Sequence, residues 1–243
     1  MKIYSQTDTG RVRNNNQDSF AAAPLGEAAA FAIVCDGMGG ANGGNVASAI
    51  AVKTLADSFQ RSFRNHMTDN SVRMMMESAI VTANSTILST AAKNPDYKGM
   101  GTTVVAALVD TERITLAHLG DSRAYLFARQ QLTQLTHDHS VIQSMIDTGQ
   151  ITETEARYHP NKNVITRVLG VYKNIDIEFN TFPFGPGDIL LLCSDGLTNY
   201  VEKDRMEFLF HNTPPERLAQ TFVQAANSSG GGDNITAVLI SNE

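Results

Sequence analysis

Phe31-Ala32-Ile33-Val34-Cys35-Asp36-Gly37 is an apolar run that stops on a carboxylate beside a glycine. A short, continuous apolar run of this kind predicts a buried strand, here spanning Ala28–Asp36, with Asp36 at its tip. Working outward, the same arrangement returns three times. Leu116-Ala117-His118-Leu119 ends on Gly120-Asp121, Ile189-Leu190-Leu191-Leu192-Cys193 leads through Ser194 into Asp195-Gly196, and Gly232-Asp233 opens the run Ile235–Ile240. Taken singly, each Asp-Gly or Gly-Asp pair reads first as a plain turn. If the four tips converge, however, like charges crowd together at a cost that calls for a cation. The donors are all oxygens, which suits Mg²⁺ or Mn²⁺ rather than zinc.

The remaining patterns set these strands in an α+β chain. Ile3–Asp8 reads as a first strand. Val52, Leu55, Phe59 and Phe63 recur at helical spacing, as do Val72, Met76, Ala79, Ile80, Ala83 and Ile87. Thr102–Val109, Ile114–Leu119 and Ala124–Phe127 are separated by breaks so short that they must be antiparallel neighbours. Val141, Ile142, Met145 and Ile146 mark a short helix closed by Gly149, and Thr152 with Glu155 forms a capping box. Ile175–Phe179 alternates as a half-exposed strand, and Pro215–Asn227 reads as a helix before the last strand. Strands in meanders with segregated helices imply stacked antiparallel sheets covered by helices.

Composition narrows the function. With 243 residues, 42% hydrophobic and 18% charged, the chain can bury a substantial core. Without repeats or a linker it reads as a single domain over residues 1–243. A net charge of −6 disfavours nucleic acid as a partner. The two cysteines, Cys35 and Cys193, sit inside apolar runs with neither disulfide nor zinc spacing. The longest apolar run falls far short of the ~20 residues that span a bilayer, so neither a membrane nor an export signal is expected and the chain reads as cytoplasmic. Arg13, in the polar stretch Gly10–Asp18, is either a guanidinium fork for phosphate or a solvated surface charge.

Eight segments, in order, carry a resemblance across the chain. They are Arg13–Asp18, Val34–Gly40, Gly101-Thr102-Thr103, Gly120–Tyr125, Thr136-His137-Asp138-His139-Ser140, Ile165–Gly170, Ser194–Leu197 and Gly232-Asp233-Asn234. Together they resemble the PPM, or protein phosphatase 2C, family in its compact bacterial form. The resemblance implies a four-layer αββα sandwich, two central antiparallel sheets flanked by helix pairs, with metals at one end. It implies a phosphoprotein phosphatase that hydrolyses phosphoserine and phosphothreonine by in-line attack of a dimetal-activated water, without a phosphoenzyme. Its cofactors would be two Mn²⁺ or Mg²⁺ ions and a third, weaker one. Its partners would be phosphoprotein substrates, including a Ser/Thr kinase or its targets, for an enzyme acting as a monomer.

By position, Asp36 resembles the carboxylate that bridges two metals, with the Gly37 carbonyl adding to one of them. Asp195 and Asp233 resemble ligands of the other, and Asp121 with Asp195 the third site. Asp18 and Asn234 resemble groups that orient ligands or bound water, Arg13 the phosphate-binding arginine, and the interval of about 140–170 the flap beside the metals. Two residues depart from the pattern. Gln17 stands where many relatives have glutamate, and Met38 stands where animal members carry a histidine proposed as general acid. Two other functions share parts of this pattern. A Gly-x-Gly-x-x-Gly nucleotide loop counted from Gly37 needs glycine where Asn42 stands. A degenerate phosphatase serving as a sensor is expected to lose ligands, whereas Asp36, Asp195, Asp233 and Arg13 all remain. His139, His118 and Asp138 read as packing or capping residues.

Overall fold

A computed structural model describes residues 1–156 and 158–242, the side chains at 40–42 excepted. The first strand, β1 (Lys2–Asp8), is followed by β2 (Asp18–Pro24), β3 (Ala30–Met38) and the helices α1 (Gly40–Ser62) and α2 (Asp69–Lys93). A run of short connections then gives β4 (Gly101–Thr102), β5 (Val104–Val109), β6 (Arg113–Leu119), β7 (Arg123–Ala128) and β8 (Gln131–Gln134). Two small helices, α3 (Val141–Asp147) and α4 (Glu153–Ala156), precede β9 (Glu178–Pro183) and β10 (Ile189–Cys193). The chain ends with α5 (Asp195–Thr198), α6 (Lys203–Asn212), α7 (Pro215–Ser228) and β11 (Ile235–Ser241).

The strands form two sheets, ordered β1-β11-β10-β7-β8 and β2-β3-β5-β6-β9, with β4 added to β3. Strand parity sorts their side chains into three apolar layers. On β3, Phe31, Ile33 and Cys35 face α1 and α2, packing with Leu55, Phe59, Met76 and Ile80. Ala30, Ala32 and Val34 face the other sheet, meeting Leu190, Leu192, Val238 and Ile240. On β10, Leu191 and Cys193 turn instead to α6 and α7, against Leu209, Leu218 and Phe222. The order is helices, sheet, sheet, helices, as the resemblance implies. β3 and β10 are buried on both faces, which is why they read as unbroken apolar runs.

Several local readings change. The alternation at Ile175–Phe179 is not itself a strand; β9 begins only at Glu178, opposite His118 of β6. Ile175 and Ile177 satisfy the apolar pattern by packing on the layer under α2 instead. Strand β2 went unread because its middle, Ala21-Ala22-Ala23, lacks branched or aromatic residues. Helix α6 likewise carries no expectation. Asp138 is not the cap of α3: Ser140 is, accepting from the Gln143 N–H at 3.1 Å. The Thr152–Glu155 box is present, with Glu155 Oε2 accepting from the Thr152 N–H at 2.8 Å and Thr152 Oγ1 accepting from the Glu155 N–H at 3.3 Å.

Candidate metal centre

Asp18 and Asp36 stand directly opposite each other across the β2–β3 pair. Like charges in that position destabilise a sheet unless something neutralises them. Asp36 shares the parity of Val34, and Asp18 that of Phe20 and Ala22, so both carboxylates continue the layer between the sheets. The facing sheet supplies Asp195, the first residue of α5 after β10, and Asp233, just before β11. Asp121 comes from the turn between β6 and β7. A Cβ on Gly196 would run into the carbonyl of Asn234, so only glycine lets the start of α5 lie against the start of β11, bringing Asp195 beside Asp233.

All the aspartates read from the sequence therefore meet at one end of the sandwich. Burial holds the Asp36 carboxyl well above the usual range, and the charges of Asp18, Asp195, Asp121 and Asp233 push it further. Burial, then Asp195 and Asp138, carry Asp121 up to about 8. Burial lifts Asp18 to about 7 despite hydrogen bonds to its Oδ2 from Thr236 and Ser194, both 2.7 Å. Asp195 rises through burial and the Asp233 charge, partly offset by hydrogen bonds from Asp36 and Asn199. Asp18 Oδ1, Asp121 Oδ1 and Asp195 Oδ1 are buried with no hydrogen-bond partner among the described residues. A buried acceptor left unpaired costs about 1–3 kcal/mol, and more when charged. The set is all oxygen, acidic and unsatisfied, and so fits hard divalent cations.

The frame around Asp36 is made of hydroxyls. Its N–H donates to Thr103 Oγ1 at 2.9 Å, and its carbonyl accepts from Thr102 Oγ1 at 2.8 Å and from the Thr103 N–H at 2.9 Å. Thr103 Oγ1 also lies 2.8 Å from Ser122 Oγ, linking the Asp36 strand to the Asp121 turn. This is the work of Gly101-Thr102-Thr103, whose meaning the sequence alone does not disclose. Gly37 follows Asp36 in β3, its N–H donating to the Gln17 carbonyl at 3.2 Å. At the rim, Arg13 Nη2 pairs with Asp233 Oδ2 at 2.8 Å, and that hydrogen bond raises the guanidinium pKa. Asn234 holds the Arg13 loop: its Oδ1 accepts from the Gln17 N–H at 2.8 Å, and its Nδ2 donates to the carbonyls of Thr9 and Asn15 at 2.9 Å. Its side chain is spent on that loop and not on the carboxylates. Cys35 and Cys193 both face helix layers, so no thiol nucleophile serves the cleft.

An arginine-rimmed cluster of carboxylates at the end of a four-layer sandwich can be compared with known proteins. Residues 7–234 match the protein phosphatase 2C family. The chain belongs to that family. It is 38% identical over 242 residues to the serine/threonine phosphatase stp of Listeria monocytogenes, covering 99% of this chain and 95% of that one. The S. agalactiae serine/threonine phosphatase superposes with a TM-score of 0.92 at 33% identity, covering 100% of this chain and 99% of that chain. The catalytic domain of the phosphatase PstP, solved with two manganese ions, gives 0.86 at 32% identity, covering 98% and 96%. Like its family, this protein phosphatase depends on Mn²⁺ or Mg²⁺ and acts on phosphoproteins.

The phosphatase has a second polar cluster, beside the turn that carries Asp121. His118, His139 and Glu178 bring their ligating atoms within 4.8 Å of one another. His139 Nδ1 accepts from the Gly120 N–H at 3.1 Å, so Nε2 carries the proton and faces Glu178 Oε2 at 3.0 Å. Arg167 Nη1 stands 3.2 Å from the same Nε2. The ring thus offers a proton where a metal needs a lone pair, and a cation already stands beside it. The cluster works as a fastener: the His139 N–H donates to the Gly120 carbonyl at 2.8 Å, its carbonyl accepts from Thr166 at 2.8 Å, and its ring stacks on buried His118. Burial, then the neighbouring His139, lowers the His118 pKa to about 3, so His118 stays neutral. Asp138 takes a two-pronged ion pair from Arg123, with Nη2 to Oδ2 at 2.6 Å and Nε to Oδ1 at 2.8 Å. Sequence reading gave these residues packing or capping duties; their pairing across 15 and more residues left no local signal.

Proposed function

We propose that the phosphatase removes phosphate from phosphoserine and phosphothreonine with the carboxylate cluster as its metal centre. Asp36 and the Gly37 carbonyl, with Asp195 and Asp233, hold the two core ions, and Asp121 with Asp195 holds a third. Divalent cations in such a centre lower the pKa of water and screen phosphate charge. Arg13 neutralises the non-bridging oxygens of the phosphate as charge shifts in the transition state. Its pairing with Asp233 already holds it against the carboxylate cluster. Asp18, held by Ser194 and Thr236, orients the ligand set from beneath, and Asn234 fixes the loop that presents Arg13.

In this reading residues 1–243 form one catalytic domain, and the interval of about 140–170 is a flap hinged where Ser140 bridges Ile165 and Leu169 bridges Thr102. The enzyme works as a monomer in the cytoplasm and reverses a serine/threonine kinase by acting on the kinase or its targets. Among the described residues no helix is long and apolar enough to cross a membrane. The observation that carries the reading is the meeting of carboxylates from both sheets with buried oxygens left unpaired. The test is release of phosphate from a phosphothreonine peptide with Mn²⁺ and with chelator. Manganese-dependent turnover supports it; a metal-loaded protein that releases nothing overturns it in favour of a sensor.

A further inference from the structure

Beside the carboxylates lies an apolar surface that the chemistry above does not use. Met38 is 39% exposed and shares strand parity with Asp36, about 7 Å farther along β3. Val171, also 39% exposed, comes from the loop after Gly170. The two meet over Gly101, where an added Cβ would stand 3.2 Å from Val171 Cγ2, 3.6 Å from Met38 Cγ and 2.7 Å from the Leu169 carbonyl. Glycine at 101 therefore keeps the floor between them low. Tyr172, the next residue, is 59% exposed.

The loop that presents these side chains is fixed rather than loose. Leu169 exchanges backbone hydrogen bonds with Thr102 at 2.9 and 3.1 Å. Asn84 of α2, only 2% exposed, accepts from the Gly170 N–H at 2.7 Å and donates to the Tyr172 carbonyl at 2.9 Å. A buried amide thus clamps the backbone on both sides of Val171 while apolar side chains point into water. A pre-positioned apolar surface of this kind binds without a further ordering cost.

We propose that Met38, Val171 and Tyr172 form a shelf for an apolar side chain of the phosphoprotein substrate, within about three residues of the phosphorylated one on an extended segment. The occupant follows from continuity: Met38 lies on the strand that carries Asp36, so whatever places phosphate at the carboxylates lays its neighbouring residues over the shelf. The inference rests on the phosphatase reading above and names the substrate class it selects.

The test compares phosphothreonine peptides carrying leucine or glutamine at each flanking position, with p-nitrophenyl phosphate as a substrate that has no flanking residue. At saturating Mn²⁺, kcat/KM should be about tenfold higher for leucine at one or more positions. Val171→Ser and Tyr172→Ser should shrink that preference and leave p-nitrophenyl phosphate turnover unchanged. Equal rates for all peptides with the unaltered enzyme would overturn the shelf, as would variants that lose both substrates in proportion. Failure of the unaltered enzyme on p-nitrophenyl phosphate and peptides alike would overturn the phosphatase reading and the shelf with it.

Discussion

Asp36 stands at the most crowded point of the cluster, opposed by Asp18 in register and raised by four neighbouring carboxylates. Asp36→Asn keeps the shape and replaces a carboxyl whose ionisation its neighbours oppose with a permanently neutral group. Hydrolysis of a phosphothreonine peptide should fall to background, while the metal-free protein at about pH 8 should melt at a higher temperature, because repulsion is relieved. A variant that is both inactive and less stable without metal would contradict the crowding argument. Arg13 is half-exposed, and its guanidinium is bound to Asp233. Arg13→Ala should raise KM for phosphopeptides about tenfold, the equivalent of one charge-assisted hydrogen bond, with a smaller change in kcat at saturating Mn²⁺. Unchanged KM and kcat together would place Arg13 away from the phosphate.

The strand tips need their frames. Thr103→Val leaves the Asp36 N–H without its acceptor and breaks the link to Ser122. The expected cost is about 1–3 kcal/mol of stability in denaturant unfolding, with a rise in the Mn²⁺ concentration needed for half-maximal activity. Unchanged stability and metal response would show that the clasp is idle. The carboxylates were legible before the structure because each closes or opens an apolar run, a pattern visible within ten residues. The clasp was not, since Thr103 meets Asp36 across 67 positions and a threonine pair in a strand looks like ordinary sheet composition. The same holds for β2: its alanines signal no strand, although Asp18 at its head completes the cluster. Ile175 and Ile177 show the converse, an alternation satisfied by packing without ladder pairing.

At the scale of the molecule, the cluster couples metal, protons and stability. Asp18, Asp36, Asp121 and Asp195 have folded-state pKa values raised above the unfolded value of about 3.9. Without metal the folded protein holds more protons than the unfolded chain above about pH 4. The stability these groups contribute is fully present below that pH. It is lost as pH rises through about 7 for Asp18 and about 8 for Asp121. Metal-free melting temperature should therefore fall between about pH 5 and pH 8. Mn²⁺ should raise it more at the upper pH, since cations bind the deprotonated ligands, with roughly 2.7 kcal/mol gained at hundredfold saturation. Calorimetry at both pH values checks this, and a flat metal-free profile would contradict it. The pairing of β1 with β11 carries one last consequence. Lys2 lies across from Ser241, while Asp8 lies across from Ile235, next to the strand end that bears Asp233. Residues 2 and 241 are thus neighbours at the pole away from the cleft. Anything joined there, a partner domain or a solid support, hangs behind the catalyst and leaves its mouth facing outward.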